Sequence, residues 1–343
     1  MKTTPHLLTR VLTRAWMICA VLASLGLTAC DDDDDDSGPA QSNIVQVAQS
    51  NSNLTTLVAA VQKADLGTTL SGTTELTVFA PTNDAFAQLP APFNNAQNIN
   101  GITDQNQIAT LRGILLYHVL AGDLNANELN AQAYTTQRPA STGINDNTVY
   151  ISKPAAGGVA INGNTRVAQA DVDASNGVVH VIDRVLLPPS QRIPEIVVAR
   201  ASASTNPEFT LLLQALQRPA ASALLTAAAN AGANLTVFAP TDAAFRALLQ
   251  QLGFTSLDQV PNDVLVRVLQ LHIVNNARAF STDLTNNQTV ATLNGNVTIG
   301  VNNNAVTVRG AGNGNTPANV VTANLLATNG VVHVIDRVLL PQP

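Results

Sequence analysis

The sequence predicts an α+β fold that the chain builds twice, and three observations predict it. Residues 176–188 read N-G-V-V-H-V-I-D-R-V-L-L-P, and residues 329–341 repeat them without a change. Residues 76–82, L-T-V-F-A-P-T, recur in the same way at 235–241, and the period of about 155 residues is that of a duplicated domain, not of a solenoid repeat. Within each copy, apolar residues at helical spacing come first and short alternating segments broken by turn residues follow. That order predicts helices packed against one end or face of a small assembly of antiparallel strands.

Composition sets the class. The 343 residues leave room for two domains with real cores, and 45% hydrophobic against 12% charged residues is a globular balance. Aromatics make up only 3%, so the cores must be aliphatic. The formal charge is −6, but Lys2, Arg10 and Arg14 sit in the first 29 residues and residues 31–36 are six consecutive aspartates, so the remaining body is only mildly acidic. With Lys63 and Lys153 as its only lysines, the body lacks the clustered basic face that nucleic acid requires.

An export signal is expected over residues 1–29. Its basic residues precede an apolar run, 15–27, that is shorter than the roughly 20 residues a membrane-crossing helix needs. Residues 27–30, L-T-A-C, resemble the bacterial lipobox, which makes Cys30 the expected lipidation site and the membrane an expected partner through that lipid. Cys19 is the only other cysteine and lies inside the signal, so the body offers no disulfide, thiol nucleophile or cysteine-bound metal. Residues 30–42 read as a lipidated cysteine and acidic tether: adjacent carboxylates repel one another, whereas calcium loops space their ligands at alternate positions. The two domains are expected at 43–190 and 193–343, with a proline-stiffened linker over 188–192.

In the first copy Leu54, Leu57, Val58 and Val61 share one helical face, as Phe209, Leu212, Leu213 and Leu216 do in the second. A strand over 76–80 ends at Pro81, and any of Thr82, Asn83 and Asp84 could cap the next helix, as Thr241 and Asp242 could in the second copy. A longer helix is predicted over 104–120 with Ile108, Leu111, Leu115 and His118 on one face; its counterpart from about 262 carries Leu265, Val268 and His272. Strands follow at 148–152, 159–162 and 165–170, and in the second copy at 289–293, 297–301, 305–309 and 320–323. Asn-Gly at the head of each repeated closing segment predicts a type I′ hairpin turn, because both residues accept positive φ. The closing strand is apolar on both faces, which marks it as the centre of its core.

Three landmarks now stand in fixed order: T-V-F-A-P-T-N-D-A-F at 77–86, L-L-Y-H-V-L at 115–120, and G-V-V-H-V-I-D-R-V-L-L-P at 177–188. The set resembles the fasciclin (FAS1) domain family, and the second copy matches it again over nearly everything after the tether. The resemblance implies a wedge or sandwich of antiparallel strands with a helical layer, a role in adhesion or matrix interaction, and no catalysis or cofactor. It also implies that Tyr117 and His118, which match the family's Tyr-His motif, contact a partner. The second copy has Leu271 in place of the tyrosine, so the pair is whole only in the first.

The remaining histidines, His180, His272 and His333, are read as structural. Zinc wants three or four ligands at characteristic spacing, and two histidines about sixty residues apart per copy, with no cysteine, do not supply them, so no metal is expected. Asp183 and Asp336, from the repeated Asp-Arg pair, are the remaining binding candidates, weighed against hydrogen bonding inside the fold. The glycine-rich residues 310–314 open no helix, so they are read as a flexible loop and not as a phosphate cradle. No nucleophile–base constellation appears, so the chain is not read as an enzyme. The expected function is a membrane-anchored lipoprotein of the bacterial cell envelope that mediates adhesion to a cell-surface or matrix protein or polysaccharide. The alternative is a periplasmic ligand- or polysaccharide-binding protein, disfavoured by the scarcity of aromatic platforms.

Overall fold

The computed structural model describes residues 41–303 and 305–342, so the expected signal, Cys30 and the aspartate run lie outside the described residues. In the first copy, after the leading helices, come β1 (Leu76–Pro81), β2 (Val119–Ala121), β3 (Ala133–Thr135), β4 (Thr148–Ser152), β5 (Ala160–Ile161), β6 (Thr165–Ala174) and β7 (Gly177–Ile182). The second copy repeats the series as β8 (Leu235–Pro240), β9 (Ile273–Val274), β10 (Thr289–Thr292), β11 (Gly295–Asn302), β12 (Ala305–Gly310), β13 (Ala318–Ala327) and β14 (Gly330–Ile335). Among the described residues these make two seven-stranded sheets, ordered β2-β1-β7-β6-β5-β4-β3 and β10-β11-β12-β13-β14-β8-β9.

The sheets are mixed, which corrects the all-antiparallel expectation. β1 runs parallel to β7 over its whole length, Leu76 opposite Gly177 through Pro81 opposite Ile182, and β8 runs parallel to β14 in the same register. The connection between the partners spans most of the domain, so a pairing between its two ends cannot be read from local turn signals. Both strands of each pair are buried at every position. One face packs against the helices through Val78, Val179 and Val181; the other meets β4 and β5 through Phe79, Ile182, Ile151 and Ile161. Two register shifts in β6, and two in β13, bend the long strand that leads from one layer to the other.

The helical layer forms where the periodicity places it, over Thr55–Lys63 and Thr210–Gln217. Thr82 and Thr241 cap the helices that follow β1 and β8, accepting from the amides of Ala85 and Ala244. The helix expected over 104–120 stops at Leu116, because Val119 to Ala121 leave it to pair antiparallel with β1. A short edge strand embedded in a helical apolar pattern has no periodicity of its own.

The Asn-Gly turn also differs from expectation. The hairpin residues are Ser175 and Asn176, since Ala174 pairs with Gly177, and only Gly177 has positive φ, +134°. Asn176 is instead a buried bolt. Its Oδ1 accepts from the Ile44 amide at 2.9 Å, and its Nδ2 donates to the carbonyls of Leu70 and Gly72 at 2.9 and 2.8 Å. Asn329 does the same for the Ile193 amide and the Ala228 and Asn230 carbonyls. Residues 310–314 are not an irregular loop throughout: Ala311–Asn313 form a 3-10 turn, and Asn313 donates to the Val338 carbonyl at 2.9 Å.

Candidate functional site

The repeated histidines are built into the core by backbone partners. In His118, Nδ1 donates to the Ile114 carbonyl at 2.8 Å and Nε2 accepts from the Leu186 amide at 2.9 Å. His272 repeats this with Val268 and Leu339. In His180, Nε2 donates to the Leu124 carbonyl at 2.9 Å and Nδ1 accepts from the Asp171 amide at 3.2 Å; His333 does so with Ala279 and Asn324. Each ring therefore has one donor and one acceptor engaged, which fixes the neutral form. Burial holds His118 and His272 down to about 4 and lowers His180 and His333. Among the described residues no three His, Cys, Asp or Glu side chains gather in a group that could hold a metal.

Tyr117 is fully buried. Its hydroxyl donates to the Thr148 carbonyl at 2.7 Å and accepts from Asn162 Nδ2 at 3.3 Å, and burial pushes its pKa up. The expectation that Tyr117 and His118 touch a partner directly is thereby corrected: neither side chain reaches the surface. Asp183 accepts from the Arg166 amide at 2.8 Å, and Asp336 accepts from the Asn319 amide and side chain at 2.7 Å each, so both carboxylates pin the long bent strand to the closing strand. The arginines beside them, Arg184 and Arg337, are exposed.

What the Tyr117 hydroxyl leads to is the junction between the two copies. Asn162 accepts from the Tyr150 amide at 2.9 Å, and the Tyr150 ring lies 4.4 Å beneath the guanidinium of Arg278 and 5.7 Å from Phe280, both in the second copy. Arg278 is anchored there by Asn234 Oδ1 and the carbonyls of Ala327 and Thr328. Beside it, Asn324 Nδ2 donates across the junction to the Gly163 carbonyl and Asn164 Oδ1, both at 3.0 Å, and Asn164 Nδ2 returns a bond to the Asn324 carbonyl at 3.1 Å. Gly163 sits so close that a Cβ would lie 2.7 Å from Asn324 and 2.8 Å from Phe280.

Asn324 has φ +59° in a bulge of β13, and Asp171 has φ +56° at the matching bulge of β6. Each accepts a loop amide, from Ser281 and Ala126 respectively. Only the asparagine also has donors to spend across the junction. The junction was missed from the sequence. The signal available was the Asp171-to-Asn324 difference between otherwise matching segments, which acquires meaning only once the two copies face each other. Next to these residues a pocket of about 290 Å³ opens between the copies, lined by Gln88, Asn162, Asn164, Arg184, Leu187 and Asn324.

The fasciclin domain family model matches this geometry's two halves, over residues 52–188 and 207–341. The chain belongs to the fasciclin domain family. Protein sll1483 of Synechocystis is 44% identical over 146 residues, covering 43% of this chain and 73% of that protein. Stabilin-2 of Rattus norvegicus is 26% identical over 236 residues, 66% of this chain but 15% of that protein. The transforming growth factor-beta-induced protein ig-h3 of Sus scrofa is 26% identical over 276 residues, 79% of this chain and 35% of its own length. Among solved structures, a FAS1 domain pair from the insect cell adhesion molecule Fasciclin I shares 20% identity, covering 82% of this chain and 92% of that one with a TM-score of 0.37. The chain thus spans well under two thirds of several of the larger proteins it resembles, while its two fasciclin domains account for most of its own length.

Proposed function

We propose that this chain is a non-catalytic adhesion module of the bacterial cell envelope, two fasciclin domains joined by a packed junction and held to a membrane by a lipid on Cys30. The observation that supports the adhesive reading is the match of both copies to the fasciclin domain family. The lipobox-like residues 27–30 and the tether after them support the anchor. The partner in this reading is a cell-surface or matrix protein or polysaccharide. It meets the exposed surface around the junction, where the exposed Arg184 offers donors to carboxylate or hydroxyl groups.

The reading is tested by surface attachment of cells lacking the protein, complemented with the native chain or with Cys30→Ala. The native chain should restore attachment, while the alanine variant should appear in the soluble fraction and fail to restore it. Full attachment by a soluble Cys30→Ala protein would remove the anchor from the function. The junction pocket also favours the second reading, a periplasmic polysaccharide-binding protein. In that case an acidic oligosaccharide should bind the purified chain, and Arg184→Ala should weaken it about tenfold or more, the loss of one charged hydrogen bond.

A further inference from the structure

In each domain, the leading helices stand over the parallel strand pair, and the space between them is filled unequally. In the first domain a cavity of about 180 Å³ lies between helices Ile44–Ser50 and Thr55–Lys63 and β1, lined by Ala48, Leu57, Val61, Leu70, Leu115 and Val119 among others. The matching space in the second domain measures about 40 Å³. The buried asparagines align the two: Asn176 holds the Ile44 amide and Asn329 the Ile193 amide. Ala48 then corresponds to Val197, the matching helix faces pair Val61 with Leu216, and His118 and His272 pair Val119 with Ile273; all three larger side chains line the smaller space. At these three positions the side chain is larger where the space is smaller.

The chemistry of the lining restricts what could enter. His118 forms part of the wall, but both of its ring nitrogens are committed, to Ile114 and Leu186. Gln49 and Gln62, the other polar side chains of the lining, are exposed residues at its solvent end. A polar or charged guest would find no partner inside and would lose its hydration. Water gains little from such aliphatic walls, and an enclosed apolar cavity of about 150 Å³ is known to admit benzene or xenon.

We infer that the first fasciclin domain carries a binding site for a small uncharged apolar molecule, of the size of a single hydrocarbon ring or a short alkyl chain, and that larger side chains close the matching space in the second domain. The probes are benzene and xenon, titrated into the full chain with the methyl groups of Leu, Val and Ile observed by NMR. Saturable shifts are expected at Leu57, Val61 and Leu115, with none at Leu212 and Leu216. The variant Ala48→Val/Val61→Leu, which installs the second domain's residues, should lose at least tenfold in benzene affinity. The reciprocal Val197→Ala/Leu216→Val should give the second domain saturable shifts of its own. The inference is overturned if neither probe moves the first-domain methyls saturably, or if the filled variant binds as the native chain does. If the filled variant does not fold, the native titration and the reciprocal variant still decide.

Discussion

Asn176 and Asn329 show how much one side chain can carry. Each closes three backbone groups, one amide and two carbonyls, that lie between the helical layer and the closing strand. Asn176→Ala strands those groups in the interior, and each orphaned group costs about 1–3 kcal/mol. The expected result is a loss of several kcal/mol in urea unfolding, and a loss below about 1 kcal/mol would show that water replaces the amide. The histidines give the pH dependence. His118 and His272 fall from 6.5 to about 4 on folding because burial disfavours the charged ring. A group whose folded pKa lies below its unfolded one takes up its proton only on unfolding. Its contribution is therefore complete above about pH 6.5 and is lost as pH falls toward 4, by roughly 3 kcal/mol per ring. Burial shifts His180 and His333 in the same direction. Urea midpoints should hold steady from pH 8 to 7 and fall between 6.5 and 4.5, with a shallower fall in His118→Gln/His272→Gln. A flat profile over that range would refute the neutral-ring account.

At the scale of the element, the parallel pairing of the first and last strands defines each domain, and glycine permits it. A Cβ on Gly177 would lie 1.9 Å from the Leu76 carbonyl oxygen, and one on Gly330 would lie 2.3 Å from that of Leu235. Gly177→Ala meets both this clash and a φ of +134°, so it should cost several kcal/mol and preferentially unsettle β1 and β7 in hydrogen exchange. Gly113 is the control: it lies inside the helix Gln105–Leu116, where a Cβ would meet only the Arg138 side chain at 3.6 Å. Gly113→Ala should leave stability unchanged or raise it by about 0.5–1 kcal/mol. Similar losses in both variants would mean that the close approach at Gly177 does not set the pairing.

For the whole molecule the deciding contact is Asn324, whose amide donates to the first domain while the matching Asp171 has only acceptors. Asn324→Asp keeps an oxygen for the Ser281 amide and removes the donors that cross the junction. Spin labels placed one in each domain of a chain lacking its two native cysteines should show a broader distance distribution in this variant, and broader again with Arg278→Ala, which removes the stack over Tyr150. Distributions as narrow as in the unsubstituted chain would assign the junction to other contacts.

The duplication, the domain family, the first strand of each copy, its capped helix and the centrality of the closing strand are legible in the sequence because each is a local or self-repeating signal. Leu76 to Ala80 form a short β-prone segment stopped by proline, and the polar residues after it supply the cap, which Thr82 and Thr241 provide. What the tertiary structure alone decides is long-range. That Asn176 is a bolt and not a turn, that β7 lies parallel to β1, and that Tyr117 sits beneath the junction all depend on partners far away in the chain. The repeated thirteen residues name the domain, yet the residues that differ between the copies, Asp171 and Asn324, Ala48 and Val197, settle how the two domains meet and where space is left inside them. Identity between repeats reports the shared core; packing, which no single copy can specify, assigns the differences their meaning.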